Sequence, residues 1–590
     1  MRTLVVVCAL LCLACTMAGA ALKLPFEVPP DTTRPPLTPS WAFGLWVWED
    51  DVNTAAAVWD LVDGYPKHDI PITAAMIDSP WETLYNDFRW DTERYPNPQQ
   101  MIDELHRRGL RLVLWMTNMV NLRDQQADAS GRTTEDIYAY AKERGYLCND
   151  GKPASWWKGV GGFPDYTNPE ALAWWHGMMD RVLDMGIDGW KVDGSSAHFP
   201  FVGGFGKAGP LNVMQYSDQY YRDTYQHLVL RRPEGVTMVR SVDAAEIGYE
   251  GRVSPKDAAP VTWVGDQRHT WDELGILEAL RDVFLAIPMG YPVIGSDTGG
   301  YQSNPAQPGM PKTLFLRWAQ WNAFMPFFIN GGHNEHRPWK FDPQTLDIFR
   351  RYAWLHQELA PFWYSGVARA HLGQAQFLGV LPGTWQYRLG DHLLVAPVYQ
   401  DSTQRELAIP AGRWHYYWQP ERTWAGPATV KLEVPLAEFP VLVRQGAIIP
   451  MQVSRPYTGA GDRWSANYTT LDIYPGASGE YDLYREPDLA LTHLTTQGSL
   501  PGTVTVSIKG LPRPAPSANA KAPGLAKRAY LLRVLAPTAP KSVTLGGKPL
   551  AKLALAAWVK APSGWRYDPA AHRLWVKVPS TINGTVVIKG

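Results

Sequence analysis

The chain has 590 residues, 45% of them hydrophobic and 19% charged, with a formal net charge of -1 and a pI near 6.9. A single hydrophobic core stops growing at about 250–300 residues, so this length calls for two to four domains. Near-neutral charge with no basic block excludes a protein that grips nucleic acid or an anionic membrane by electrostatics. The 27 Trp and 27 Tyr are many. Aromatic faces stack on the C–H faces of sugar rings, although any one indole reads first as packing.

Residues 1–20 read as a secretory signal. Arg2 supplies the positive end, LVVVCALLCLACTMA the apolar region and Ala18-Gly19-Ala20 an A-x-A-like cleavage site. The apolar run is short for a membrane span, no other stretch is long enough to cross a bilayer, and a Pro-rich lead-in occupies 21–40. The expectation is a secreted or periplasmic protein with no membrane span. Cys15 offers lipid anchoring as the less favoured alternative, because Cys12 stands where a lipobox carries Leu. Removing the signal leaves Cys148 as the only cysteine and excludes an intrachain disulfide.

Eight short β-rich runs follow: SWAFGLWVW, IPITAAMID, LRLVLWMTN, GIDGWKVDG, GVTMVRSVD, APVTWVGD, YPVIGSDTGG and MPFFINGGHN. Helical patterns fill most gaps, at Asn97–Arg108, Pro169–Met185, Asp272–Ala286, Lys312–Phe324 and Gln344–Leu359. Asn168 is placed to cap the second of these, with Pro169 in its first turn. The gap from Asp243 to Pro260 is weakly helical and reads as a loop. Eight strand-plus-crossover units predict a (β/α)8 barrel over 41–361. The second to eighth runs end at or near Asp78, Trp115, Asp193, Arg240, Asp266, Asp297 and His333, which one barrel mouth would gather. The long insertion Leu122–Thr167 follows a strand end and is expected to border that mouth. Beyond residue 362, short alternating runs between Gly and Pro turns predict two antiparallel β-sandwiches, at 362–455 and 456–590. The low-complexity stretch 512–528 reads as a mobile loop in the second.

Two carboxylates on different barrel strands can flank a glycosidic bond, one attacking the anomeric carbon and the other protonating the leaving oxygen. Asp193 and Asp266 are the candidates. The plainer alternative is that both only cap loops. His333-Asn334-Glu335-His336 superficially suggests a metal site, but it lacks the H-E-x-x-H order and a CxxC partner, so no metal is expected. The chain has no G-x-G-x-x-G motif and no P-loop, so no nucleotide cofactor is expected either.

Several segments, in order, resemble glycoside hydrolase family 31, the retaining α-glycosidases. IDSPWETLYNDFRWDTERYPNPQQMIDELHRRGLRLVLWMTN is similar to its second and third strand region, and GFPDYTNPEALAWW to the run before its nucleophile strand. GIDGWKVDG resembles the nucleophile strand, with Lys191-Val192-Asp193 in the K-x-D form of α-xylosidase-like members. TWVGDQRHTWDEL resembles the acid/base segment. YPVIGSDTGGY and FLRWAQWNAFMPFF are similar to the last two strand regions, and LGDHLLVAPVY, IPAGRWHYYW and FPVLVRQGAIIP to the sandwich that follows the barrel. The resemblance covers about 41 to 455. It implies Asp193 as nucleophile and Asp266 as acid/base, with Asp78, Trp115, Lys191, Arg240 and His333 around the −1 sugar and Trp263 near the leaving group.

Three departures matter. Gly194-Ser195-Ser196 follows Asp193 where many members carry a carboxylate, so that group is absent or comes from elsewhere. Ser79 and Pro80 break the two-carboxylate pattern of α-glucosidases at Asp78. Only about 20 residues separate the signal from the first strand, where most members carry an N-terminal β-sandwich. The aglycone side is therefore expected to be open or walled by the Leu122–Thr167 insertion. The function implied is an exo-acting, retaining α-glycosidase on a carbohydrate substrate. The alternatives are a catalytically weak carbohydrate-binding protein and an α-transglycosylase on the same barrel.

Overall fold

The computed structural model describes residues 30–124, 135–200, 202–244, 251–306, 309–511, 529–579 and 583–590. The expected signal segment and the 512–528 loop lie outside the described residues.

Each of the eight apolar runs contains a strand. These are β1 (Leu45–Val47), β2 (Ala74–Ile77), β3 (Arg111–Met116), β4 (Gly189–Val192), β5 (Val236–Arg240), β6 (Val261–Trp263), β7 (Ile294–Gly295) and β8 (Phe328–Asn330). They form one parallel sheet in the order β7-β6-β5-β4-β3-β2-β1-β8. A parallel bridge between Asp297 and Ile329, with the Thr298 N–H donating to the Ile329 carbonyl at 3.2 Å, joins the two ends. The strands are buried almost throughout. That is why they read as continuous apolar runs rather than alternating ones: helices cover the outside and side chains fill the inside.

The covering helices are α1 (Ala55–Lys67), α2 (Pro98–Arg107), α3 (Pro169–Leu183), α4 (Val213–Arg231), α5 (Ile276–Ala286), α6 (Lys312–Asn322) and α7 (Pro343–Glu358). Asn168 caps α3 as expected, its side chain accepting from the Glu170 N–H at 3.2 Å. Between β5 and β6 the described residues include an antiparallel bridge between Val242 and Arg252 and a short 3-10 turn at Lys256–Ala258. The insertion after β3 builds a small antiparallel sheet from Val120–Asp124, Ala154–Trp156 and Gly159–Gly162.

Helix α8 (Ala360–His371) leads out of the barrel. A six-stranded antiparallel sheet follows, running from Leu378–Leu381 to Val441–Arg444. Next come a five-stranded sheet containing Ile448–Met451 and Tyr468–Ile473, and a six-stranded one beginning with Gly476–Arg485. Most pairs are antiparallel, but Tyr468–Ile473 runs parallel to Ala529–Leu535. The last sheet rests on α8: Phe362 stacks on Tyr481 at 5.7 Å, and the Tyr484 N–H donates to Ser365 Oγ.

Candidate active site

Barrel geometry puts the expected residues at one end because each sits at, or just past, the C-terminal end of its strand. Asp78 follows β2, Trp115 is the penultimate residue of β3, and Arg240 and Trp263 end β5 and β6. Lys191 and Asp193 are two residues apart on and just past β4, so their side chains share a face. Register confirms the grouping: Lys191 lies beside Trp115 on one neighbouring strand and Met238 on the other.

A cavity of about 320 Å³ opens at this end, lined by Asp78, Trp115, Lys191, Asp193, Arg240 and Asp266, together with Ser79, Trp157, Lys158, His198, Tyr301 and Gln302. Asp193 is nearly closed off, and both of its oxygens accept hydrogen bonds. Trp115 Nε1 donates to Oδ2 at 2.9 Å, while the Gly194 N–H and Arg240 Nε donate to Oδ1 at 2.7 and 3.0 Å. Burial alone would push this carboxyl up. The positive charges of Arg240 and Lys191, with the Trp115 and Gly194 donors, outweigh it and hold Asp193 well below the usual carboxylate range. Asp193 is therefore held as an anion.

Arg240 divides itself among three carboxylates. Its Nη2 lies 3.0 Å from Asp193 Oδ1 and 3.0 Å from Asp266 Oδ2, and its Nη1 donates to Asp243. Two oxygens each 3.0 Å from one nitrogen are at most twice that, 6.0 Å, apart. Asp266 is the more open carboxylate, its side chain 27% exposed against 10% for Asp193. Asp243 answers the missing acidic residue after Asp193: a carboxylate is supplied by the end of the β5 run instead. Gly265, just before Asp266, has φ +95°, and a Cβ there would lie 2.3 Å from Asp243 Oδ2. The chain can turn from β6 to Asp266 past this ion cluster only on glycine.

On the other wall, Lys191 Nζ donates to Asp78 Oδ2 at 2.6 Å and sits 4.3 Å from the Trp48 ring. Burial would strip the proton from Lys191, but Asp78, Asp297, Asp193 and Asp266 keep it on. Burial, with the charge of Asp50, raises the Asp78 carboxyl, and Lys191 opposes both.

Three expected residues stand back from the cavity. The Trp263 indole is fully buried beneath Arg240 and Lys191, 4.8 and 5.4 Å from their charged groups. It supports the cations from behind. Asp297 is buried behind the lining, and burial pushes its carboxyl up to about 7. His333 lies outside the lining, where its Nδ1 meets Asp51 at 2.7 Å and its ring leans on Tyr301. The neighbouring His336 and Glu335 turn to other partners, the His333 carbonyl and Arg337.

Sequence reasoning did not name Trp48, Trp157, Lys158, His198, Asp243, Tyr301 or Gln302. Trp48 and Asp243 are the terminal residues of two of the eight runs, so the rule that selected Asp78 could have found them. Trp157 and Lys158 come from the insertion expected to border the mouth.

Paired carboxylates at the C-terminal mouth of a (β/α)8 barrel are the layout of a glycosidase. The chain belongs to glycoside hydrolase family 31: the Glycosyl hydrolases family 31 TIM-barrel domain matches residues 35–366, and the Glycosyl hydrolase family 31 C-terminal domain matches residues 380–449. An alpha-xylosidase, XylQ, of Lactiplantibacillus pentosus is 26% identical over 443 residues, which is 70% of this chain and 54% of that one. An isomaltosyltransferase of Sporosarcina globispora is 26% identical over 625 residues, 95% of this chain and 53% of that one. The chain thus spans about half the length of these relatives. Among solved structures, the cycloalternan-forming enzyme of Listeria monocytogenes superposes with a TM-score of 0.79 at 23% identity, covering 95% of this chain and 55% of that one. A Flavobacterium johnsoniae family 31 dextranase does so with a TM-score of 0.78 at 20% identity, covering 95% and 72%. These two likenesses establish the fold.

Proposed function

We propose that the protein is a retaining, exo-acting α-glycosidase. The observation that carries this reading is the sharing of Arg240 by Asp193 and Asp266. With one oxygen of each carboxylate held within 6.0 Å of the other, the pair has room for the about 5–5.5 Å carboxyl spacing of retaining enzymes. Asp193 attacks the anomeric carbon while Asp266, carrying a proton, gives it to the departing oxygen. The product is a β-linked glycosyl ester on Asp193. Asp266 then takes a proton from water, which attacks the same carbon and releases the α-sugar with its configuration retained. Trp115 and Arg240 hold the carboxylate of Asp193 oriented before attack and receive it again on departure.

The small cavity and the Lys191-Val192-Asp193 strand support a single terminal sugar at the −1 site and a preference for something other than long starch chains. The named relatives act as α-xylosidase and isomaltosyltransferase, which keeps transfer to a sugar acceptor as the second reading. A panel of aryl α-glycosides, with the first-formed anomer followed by NMR, tests the proposal. An α-anomer supports it; a β-anomer, or soluble starch as best substrate by kcat/KM, goes against it. We also propose export after cleavage near Ala20, on the strength of the N-terminal pattern alone. Mass spectrometry of protein from the native host should find a mature chain starting near Ala21, and an intact Met1 in cytoplasmic protein would refute this.

A further inference from the structure

We propose that the hairpin of the insertion builds a leaving-group subsite for a second pyranose ring, with Trp157 as its platform and Lys158 at its edge. This rests on the glycosidase reading and adds to it the class of leaving group. The hairpin joins Ala154–Trp156 to Gly159–Gly162, so Trp157 and Lys158 form its tip, and both line the cavity that holds the two carboxylates.

The tip is held rigidly. Trp156 is buried, its Nε1 donates to Asn121 Oδ1 at 2.7 Å, and its ring meets Tyr85 edge-on at 6.1 Å. Tyr85 in turn packs edge-on against Trp115, which donates to Asp193. Gly159 closes the turn with φ +142°, and a Cβ there would lie 2.2 Å from the Arg123 carbonyl. Trp157 leans on Trp156 at 5.1 Å and on His198 at 5.5 Å, yet remains 37% exposed. His198 belongs to the short turn just after Asp193, which ties the tip to the β4 end. A lone exposed aromatic needs no explanation. One braced on two rings and turned into a cavity with paired carboxylates has a flat apolar face set beside the bond to be cut.

A pyranose ring matches this surface because it offers a C–H face to an indole and hydroxyls around its rim. Lys158 suits the rim. Its Nζ lies 5.4 Å over the Tyr85 ring, and among the described residues it makes no ion pair, whereas Lys191 and Arg240 are both spent on carboxylates. Its donors are therefore available to hydroxyls.

The test compares two donors carrying the same glycosyl group, an α-linked disaccharide and the α-glycosyl fluoride, whose leaving group reaches neither residue. In the full-length protein, Trp157→Ala should lower kcat/KM for the disaccharide about tenfold, the size of an aromatic stacking contact, and leave the fluoride within about twofold. Trp157→Phe should recover most of the loss. Lys158→Ala should cost the disaccharide several-fold and the fluoride nothing measurable. If both donors fall together, or neither changes, the subsite assignment is overturned. No turnover of either donor by the unaltered chain would overturn the glycosidase reading itself, and the subsite with it.

Discussion

Asp188 and Asp193 stand at the two ends of β4, both buried and both bonded to arginine. Asp188, at the N-terminal end, accepts from His106 Nε2 at 2.7 Å, the Leu112 N–H at 3.0 Å, Arg111 at 3.0 Å and Arg232 at 3.2 Å. Its four donors close around it. Asp193, at the C-terminal end, shares its arginine with Asp266 and Asp243 and faces a cavity. Burial beside a guanidinium is therefore common to a carboxylate enclosed by donors and to the one proposed to react. What separates them is an arginine divided among several carboxylates and room for a ligand, and the barrel puts that room at the C-terminal face.

The comparison predicts opposite phenotypes. Asp193→Ala should abolish turnover of every substrate, a fall of at least about 10⁴-fold, in protein that its circular dichroism spectrum shows to be folded. Asp188→Ala should cost about 1–3 kcal/mol of stability, because it takes the acceptor from the buried Leu112 N–H and from the half-buried Arg111 and Arg232, while activity per folded molecule stays within about threefold. Thermal unfolding and active-site titration separate the two. The reverse pattern would mean that the ends of β4 have been assigned the wrong way round.

A second contrast lies between the arginines. Arg240→Lys should cut kcat/KM by about 10²-fold or more, since an ammonium cannot hold three carboxylates in one plane. Arg111→Lys at the other end should alter Tm by a few degrees and leave kcat in place.

Between the two site carboxylates the split should follow the leaving group. Asp266→Ala should lower kcat by about 10²–10⁴-fold for poor leaving groups and far less for a glycosyl fluoride. Azide should partly restore it, yielding an α-glycosyl azide, because that nucleophile needs no general base. A β-azide would contradict the assignment.

The smallest expected effects are on the pH dependence of stability. The depressed folded-state pKa of Asp193 contributes stability that is present above its unfolded value, about 4, and lost as pH falls through the lower folded one. Asp193→Asn should flatten the acid limb of a Tm–pH curve there. Glu358, at the end of α7, has the opposite sign. It accepts from the Thr458 hydroxyl at 2.6 Å, its Oε1 finds no donor among the described residues, and burial pushes it up to about 8. Stability should therefore decline as pH rises from about 4.3 to about 8, and Glu358→Gln should remove that decline.

How far the sequence discloses this arrangement depends on the kind of signal. All eight barrel strands lie inside apolar runs, because a strand covered on both faces leaves that mark. Helix α4 leaves a weaker one. Its buried residues include Tyr216, Tyr220, Tyr221 and Thr224, amphipathic groups that blur the 3.6 period, and the clue that remains is the capping box of Asn212 and Gln215. The parallel pairing of Tyr468–Ile473 with Ala529–Leu535 joins segments far apart in sequence, and no local pattern encodes such a register. In the site, strand-end position brought out Asp78, Trp115, Asp193, Arg240 and Asp266, and the family resemblance added Lys191 and Trp263. Neither signal distinguishes lining from backing, so Trp263 and Asp297 stand behind the wall and His333 is drawn aside by Asp51. Trp157 and Lys158 sit on an insertion whose turn depends on Gly159, a constraint visible only once Arg123 is placed beside it.

The proposed mechanism requires Asp193 to form a covalent bond to the sugar. Incubation with a 5-fluoro glycosyl fluoride of the preferred sugar, followed by peptide mapping, tests it directly. One glycosyl group per chain on Asp193, slowly released as the α-anomer, is the result predicted here; a label on any other residue, or stoichiometric turnover with β-anomer and no adduct, would contradict it.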